Sequence, residues 1–127
     1  MTLEECRQRT ERVRDLYDRL HLCERGRVWT NEEFALGFVG DVGDLAKLVT
    51  AEEGARARDT QGGRAALEHE LADCLCSVLV LADRYDINLR TAFHRTMTEL
   101  ETAINARLAL HTHDARPDEA GDEGHGP

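Results

Sequence analysis

No proline occurs in the first 116 residues of this chain. That absence constrains the architecture more than any other feature, because nothing interrupts a helix before the tail. Four helices are predicted. Thr2-x-x-Glu5 is a capping box opening a helix over about 3–23, with Leu3, Cys6, Val13, Leu16, Leu20 and Cys23 as its apolar stripe. Arg7, Arg9, Arg12, Arg14, Asp15 and Asp18 form its other, solvated face, and Gly26 ends the segment. Thr30-x-x-Glu33 opens a second helix over about 31–53, with the stripe Phe34, Phe38, Val42, Leu45 and Val49 and a stop at Gly54. After a polar loop from Ala55 to Gly63, a third helix covers about 64–84, with Leu67, Leu71, Leu75, Val78, Leu79 and Ala82 at helical spacing. Asn88 caps a fourth over about 89–110, carrying Leu89, Ala92 or Phe93, Met97, Leu100, Ile104 and Leu108.

The 127 residues suit one domain, expected over 1–111, followed by an acidic, Gly-rich, disordered tail over 112–127. A net charge of −9 argues against binding a nucleic-acid backbone, which demands a basic face. No apolar run approaches the roughly 20 residues of a membrane span. The N-terminal residues, charged from Glu4, do not form a signal peptide, so a cytoplasmic protein is expected. Cys6, Cys23, Cys74 and Cys76 show no C-x-x-C spacing and read as free, mostly buried thiols in a reducing compartment. Broad apolar stripes with few aromatic residues point to burial against further copies, hence a homo-oligomer.

Acidic pairs three apart on a helix lie close enough to share a cation, but the spacing is common in an acidic chain. Asp15/Asp18, Asp83/Asp86 and Glu119/Asp122 all read as solvated. Asp41/Asp44 stands apart because Phe38, Leu45 and Leu48 lie one turn away on its face. Glu70/Asp73 likewise has Leu67, Cys74 and Ser77 around it. Two like charges 6 Å apart repel by about 3 kcal/mol at an effective dielectric near 20, and desolvation adds to this. Bound Mg²⁺ or Mn²⁺ resolves the conflict, since hard cations prefer carboxylate oxygens.

Gly37, Gly40 and Gly43 recur inside the second helix, where each costs up to about 1 kcal/mol relative to alanine. Close packing of another helix is the expected reason, with room for a ligand the alternative. Lys47, three residues after Asp44, either pairs with those acids or reaches a phosphate. Trp29 either packs under the second helix's cap or stacks on a base. Glu52, Glu53 and His69 read as surface residues, and Ser77 has no partner arrangement for nucleophilic catalysis.

Taken together, these residues resemble a family. Asp41-Val-Gly-Asp44-Leu45 is similar to the E-x-G-E-L of MazG-like all-α nucleoside triphosphate pyrophosphohydrolases, and Glu70-Leu-Ala-Asp73 to their E-L-x-D. Trp29 lies upstream as a tryptophan often does there. Asp86-Ile-Asn-Leu89 with Ala92 resembles their G-I-D-L-x-x-A segment. The resemblance implies a four-helix fold assembled as a homodimer or homotetramer. It also implies hydrolysis of a ribo- or deoxyribonucleoside triphosphate to monophosphate and pyrophosphate with Mg²⁺, in nucleotide house-cleaning. Asp41, Asp44, Glu70 and Asp73 would then be the catalytic metal ligands, with Trp29 and Lys47 binding substrate. Both first-motif glutamates are aspartates here, which draws a metal closer to the helix backbone. The family's K-M-x-K-N stretch reads Thr96-Met97-Thr98-Glu99-Leu100, which lacks both polar anchors. The alternative reading is therefore a catalytically weak or inactive helical homodimer that binds a nucleotide or a protein partner.

Overall fold

The computed structural model describes residues 1–54 and 63–114, the side chains only as far as 112. They form α1 (Leu3–Arg25), α2 (Asn31–Glu52), α3 (Gly63–Arg84) and α4 (Leu89–Asp114), with no strand among the described residues. The chain is all-α, as the proline-free sequence predicts. The loop over 55–62 and the tail from 115 onward lie outside the described residues. Two compact units are present, Met1–Leu89 and Arg90–Pro127.

The helix starts follow local chemistry. Thr2 and Thr30 each accept a hydrogen bond from the backbone of the glutamate three residues on, and that glutamate returns one to the threonine's backbone N–H. Both capping boxes satisfy amides that a helix start otherwise leaves orphaned. Glu33 also takes the Arg27 guanidinium, which, with the Thr30 backbone bond, lowers its pKa to about 2. Gly26 closes α1 in the left-handed conformation, φ 72°. The end of α3 closes in the same way on a non-glycine residue. Asp86 has φ 53°, with Ile87 N–H donating to the Ala82 carbonyl at 2.8 Å and Asp86 N–H to the Asp83 carbonyl at 3.1 Å. This is a Schellman closure, in which an aspartate tolerates a conformation that glycine adopts more cheaply.

Within the first unit, α2 and α3 pack against each other as an antiparallel pair. At one end Arg84 donates to the Trp29 carbonyl (3.2 Å) and to Asn31 Oδ1 (2.8 Å), with its guanidinium over the Phe34 ring. Further along, Asp41 and Asp44 meet Glu70. The less exposed positions of α2 include Phe34, Phe38, Asp41, Leu45 and Leu48; those of α3 include Leu67, Glu70, Cys74, Ser77, Leu81 and Arg84. This corrects the predicted stripes. Val42 (44% exposed) and Val49 (45%) lie outside the α2 seam, as do Leu71 (52%) and Leu75 (47%) on α3. Each helix is turned so that carboxylates occupy seam positions. Hydropathy periodicity alone would assign those positions to leucine and valine.

The same inversion holds for α1, which packs on α3. Its half-buried residues include Arg7, Thr10, Glu11, Arg14, Asp18 and His21, while Leu16 (60%) and Leu20 (46%) are exposed. Of the face read as solvated, Arg7, Arg14 and Asp18 are half-buried, while Arg9, Arg12 and Asp15 are exposed as expected. The anchor of α1 is Asp83, which takes Arg14 Nη1 at 2.7 Å and Arg7 Nη1 at 3.5 Å. Asp83 is thus not the solvated acid the sequence predicts, whereas Asp15 and Asp86 are exposed. Asp83→Ala is expected to lower stability by about 2 kcal/mol, because it strands a partly buried guanidinium. Thermal unfolding checks this, and a loss below about 0.5 kcal/mol would mean that solvent replaces the pair.

The glycine expectation divides. A Cβ added at Gly37 would meet the Trp29 ring at 3.1 Å, so close packing requires this glycine, but against the residue ahead of α2 rather than another helix. Gly40 and Gly43 have nothing within 4 Å of such a Cβ, so close packing does not account for them. In the second unit, α4 presents Phe93, Leu100, Ile104 and Leu108 at 49–60% exposure. No helix of the described residues is long and apolar enough to cross a membrane.

Candidate functional site

The site is built from seam positions. Spacing of three puts Asp41 and Asp44 one turn apart on α2, and Glu70 and Asp73 one turn apart on α3. Antiparallel packing then sets the pairs face to face. One oxygen each from Asp41, Asp44 and Glu70 lie within 4.8 Å of one another. Asp73 joins a second group, with His69 and Glu70, under the same distance limit, so Glu70 is the member common to both. His69 Nε2 lies 3.2 Å from Asp73 Oδ2, although the imidazole is largely exposed. His69 is thus a surface residue, as expected, that also meets Asp73 at the edge of the cluster.

Glu70 is the centre electrostatically as well. Its Oε2 has no appreciable solvent exposure and no hydrogen-bond partner. Burial, first, and then the charges of Asp41, Asp73 and Asp44 push its carboxyl pKa up, while His69 opposes the rise. A carboxylate oxygen shielded from water and given no donor is costly unless a proton or a cation meets it. The donor set is made of hard carboxylate oxygens on facing helices, and it fits a divalent cation such as Mg²⁺ or Mn²⁺. Cys74 lies beside it, but burial, followed by the charges of Asp41, Glu70 and Asp73, raises the thiol pKa. That thiol stays protonated and is a poor ligand. All four cysteines are free, and Cys23 is exposed rather than buried.

A cavity of about 270 Å³ adjoins the acids. Asp41 and Asp73 line it, as do the buried Ser77 hydroxyl and the aromatic residues Tyr17, His21, Trp29 and Phe34. His21 stacks on Trp29 with ring centroids 5.3 Å apart, and Phe34 meets Trp29 edge-on at 6.5 Å. Trp29 therefore packs under the start of α2, the first of its two expected roles, and also lines the cavity. Lys47 is exposed and has no ion-pair partner, so the expected pairing with Asp44 is absent among the described residues. Glu52 is half-buried and Glu53 exposed. On α4, Thr96, Glu99 and Leu100 are exposed. The Thr98 hydroxyl is committed to the His94 carbonyl at 3.0 Å, which leaves it no better placed as a polar anchor.

Sequence reasoning missed Tyr17, Asp18 and His21. Tyr17 lies one turn from Val13 and Leu20 of the predicted stripe, and Val13 lines the same cavity, but nothing along the chain marked the edge of that stripe as a site. Comparisons with protein-family models, with characterised proteins and with solved structures gave no match.

Proposed function

We propose that this protein is a metal-dependent nucleoside triphosphate pyrophosphohydrolase of MazG-like type. The observation that carries the reading is Glu70 Oε2, shielded from solvent and unpartnered at the meeting point of the acidic groups. Asp41, Asp44 and Glu70 would hold the ion, with Asp73 at the edge of the cluster toward His69. Mg²⁺ or Mn²⁺ bound there supplies charge neutralisation for the phosphates and a more acidic water. Water adds at the α-phosphorus as its bond to the bridging oxygen breaks, giving monophosphate and pyrophosphate. Lys47, one turn from Asp44 and unpaired among the described residues, is the nearest cation on α2 for the leaving phosphates. Trp29 belongs to the wall that receives the base. The net charge of −9 argues against nucleic acid as the substrate class, and nucleotide house-cleaning in the cytoplasm is the proposed role.

A homodimer or homotetramer is proposed as the working form. Leu36 (72% exposed), Val39 (67%), Leu71 and Leu75 on α2 and α3 support it, since uncovered apolar surface on this scale favours a partner surface. The second reading, a weak or inactive helical homodimer binding a nucleotide or a protein, is favoured by Thr96, Glu99 and Leu100 on α4, which bring no cation to a triphosphate.

The test is a pyrophosphate-release screen across ribo- and deoxyribonucleoside triphosphates with Mg²⁺ or Mn²⁺. Saturable release that EDTA abolishes is expected for at least one nucleotide. No release from any of them, with metal binding intact, selects the second reading.

A further inference from the structure

Among its described residues the second unit holds a single helix, α4 from Arg90 onward, so nothing within that unit covers an apolar face. Helices in proteins draw most of their stability from packing such a face. Leu89, Phe93, Met97, Leu100, Ile104 and Leu108 form it, at spacings of four, four, three, four and four residues. Phe93, Leu100, Ile104 and Leu108 are exposed, and Leu89 and Met97 half-buried. A continuous apolar stripe of this length marks a contact surface. Neither 55–62 nor 115–127 carries an apolar side chain larger than alanine, so neither segment supplies the cover.

The series of spacings reads the same from either end, which is what a helix needs in order to pair antiparallel with itself. About a twofold axis between Thr98 and Glu99, Phe93 comes level with Ile104 of the second copy, Met97 with Leu100, and Leu89 with Leu108. The flanks of the stripe agree with this pairing. Ala92, Thr96 and Ala103 lie along one flank and are small enough for close approach, whereas His94 and Glu101 lie along the other. Antiparallel copies meet like flank to like flank, so the His94 imidazole of each comes beside the Glu101 carboxylate of the other, and flanking charges of this kind set orientation and register. Arg90 and Arg107 stand at the ends, their stems along Leu108 and Leu89 of the second copy and their charged heads in water. Sliding one copy by a turn either way leaves a leucine unmatched at each end, and one direction sets the two Glu101 carboxylates against each other. The antiparallel sense also brings opposite ends of the two helix dipoles together.

We infer that α4 pairs antiparallel with α4 of a second copy of this chain, with Phe93, Met97, Leu100 and Ile104 at the centre of the contact. The inference rests on the homo-oligomer reading above and gives the assembly a surface separate from Leu36, Val39, Leu71 and Leu75. The contact is isologous, each copy offering the same patch.

Phe93→Cys and Ile104→Cys, made as separate full-length variants, are treated with a short bismaleimide, each alone and as an equimolar mixture. The wild type controls for the four native cysteines, and peptide mass mapping locates the bridge. In the antiparallel pair position 93 meets position 104 of the other copy, whereas position 93 of one copy stands about 16 Å along the axis from position 93 of the other. A bridge from 93 to 104 is therefore expected in the mixture, with no bridge between like positions in either variant alone. Leu100→Asp places a charge at the centre of the seam. It is expected to weaken self-association at least about tenfold in sedimentation, with the melting temperature unchanged at the lowest concentration. A bridge in Phe93→Cys alone would make the pair parallel. Self-association with no 93–104 bridge would keep the oligomer and remove the α4 contact. An equal melting loss in Leu100→Asp at every concentration would show that the chain's own first unit covers the stripe. Each of these overturns the inference, and a wild type that stays monomeric at all concentrations removes the homo-oligomer reading with it.

Discussion

Glu70→Gln is expected to abolish Mg²⁺-dependent pyrophosphate release, by at least about 100-fold, while leaving the metal-free protein more stable at pH 7 than the wild type. The two effects have one cause. Glu70 lies within reach of Asp41, Asp44 and Asp73, and its Oε2 has neither water nor a donor. Its folded pKa is therefore raised above the usual 4.5, so the folded state binds the proton more tightly than the unfolded chain. The slope of stability against pH is then negative: the stability present below the ordinary carboxylate value is lost as pH rises through the folded value. Glutamine removes that loss, and the metal-free profile of the variant should be flatter on its alkaline side. With a divalent ion the order reverses. A ligand that binds only the folded wild type, at about a hundredfold its Kd, adds about 2.7 kcal/mol, or roughly 10 °C for a chain of this size. The variant should lose that shift. Thermal melts from pH 4 to 8, with Mg²⁺ and with EDTA, check both arms. A variant that keeps the Mg²⁺ shift would move the metal away from Glu70, and one less stable than wild type without metal would make the carboxylate structural.

The largest stability effect is expected at Leu79, which is 3% exposed and, with Val80, forms the buried apolar core of the described residues. Leu79→Ala should cost about 3 kcal/mol through lost burial and the cavity left behind, lowering the melting temperature by roughly 10 °C. Leu75→Ala, at 47% exposure on the same helix, separates the chain's own core from any surface that covers it. Within a lone chain it should change stability by no more than about 0.5 kcal/mol. A concentration-dependent loss at Leu75, read by sedimentation beside the melts, would locate a copy-to-copy surface there. A small effect at Leu79 would show that α3 is held by its polar contacts alone.

Helix number, type and most ends were legible in the sequence because they depend on local rules, although α4 runs to Asp114, past its expected end near 110 and into the first residues of the expected tail. The proline-free stretch, the Thr2/Glu5 and Thr30/Glu33 boxes and Gly26 each act within a few residues, and each recurs in the structure at its expected place. The acidic pairs were legible for the same reason, since spacing of three on a helix determines that two side chains share a face. Which face turns inward was decided only by tertiary packing. The apolar stripes predicted Val42, Val49, Leu71 and Leu75 in the seam. The antiparallel pairing of α2 and α3 instead brings Asp41 and Glu70 there, and α1 docks through Arg7 and Arg14 on Asp83 rather than through Leu16 and Leu20. Hydropathy records a preference for burial and carries no information about which neighbour provides it. Asp18 and His21 show the same limit. Their residue types and spacing do not stand out along the chain, and they line one cavity only because Trp29 and α3 close on them, which leaves His21 Nδ1 without a partner.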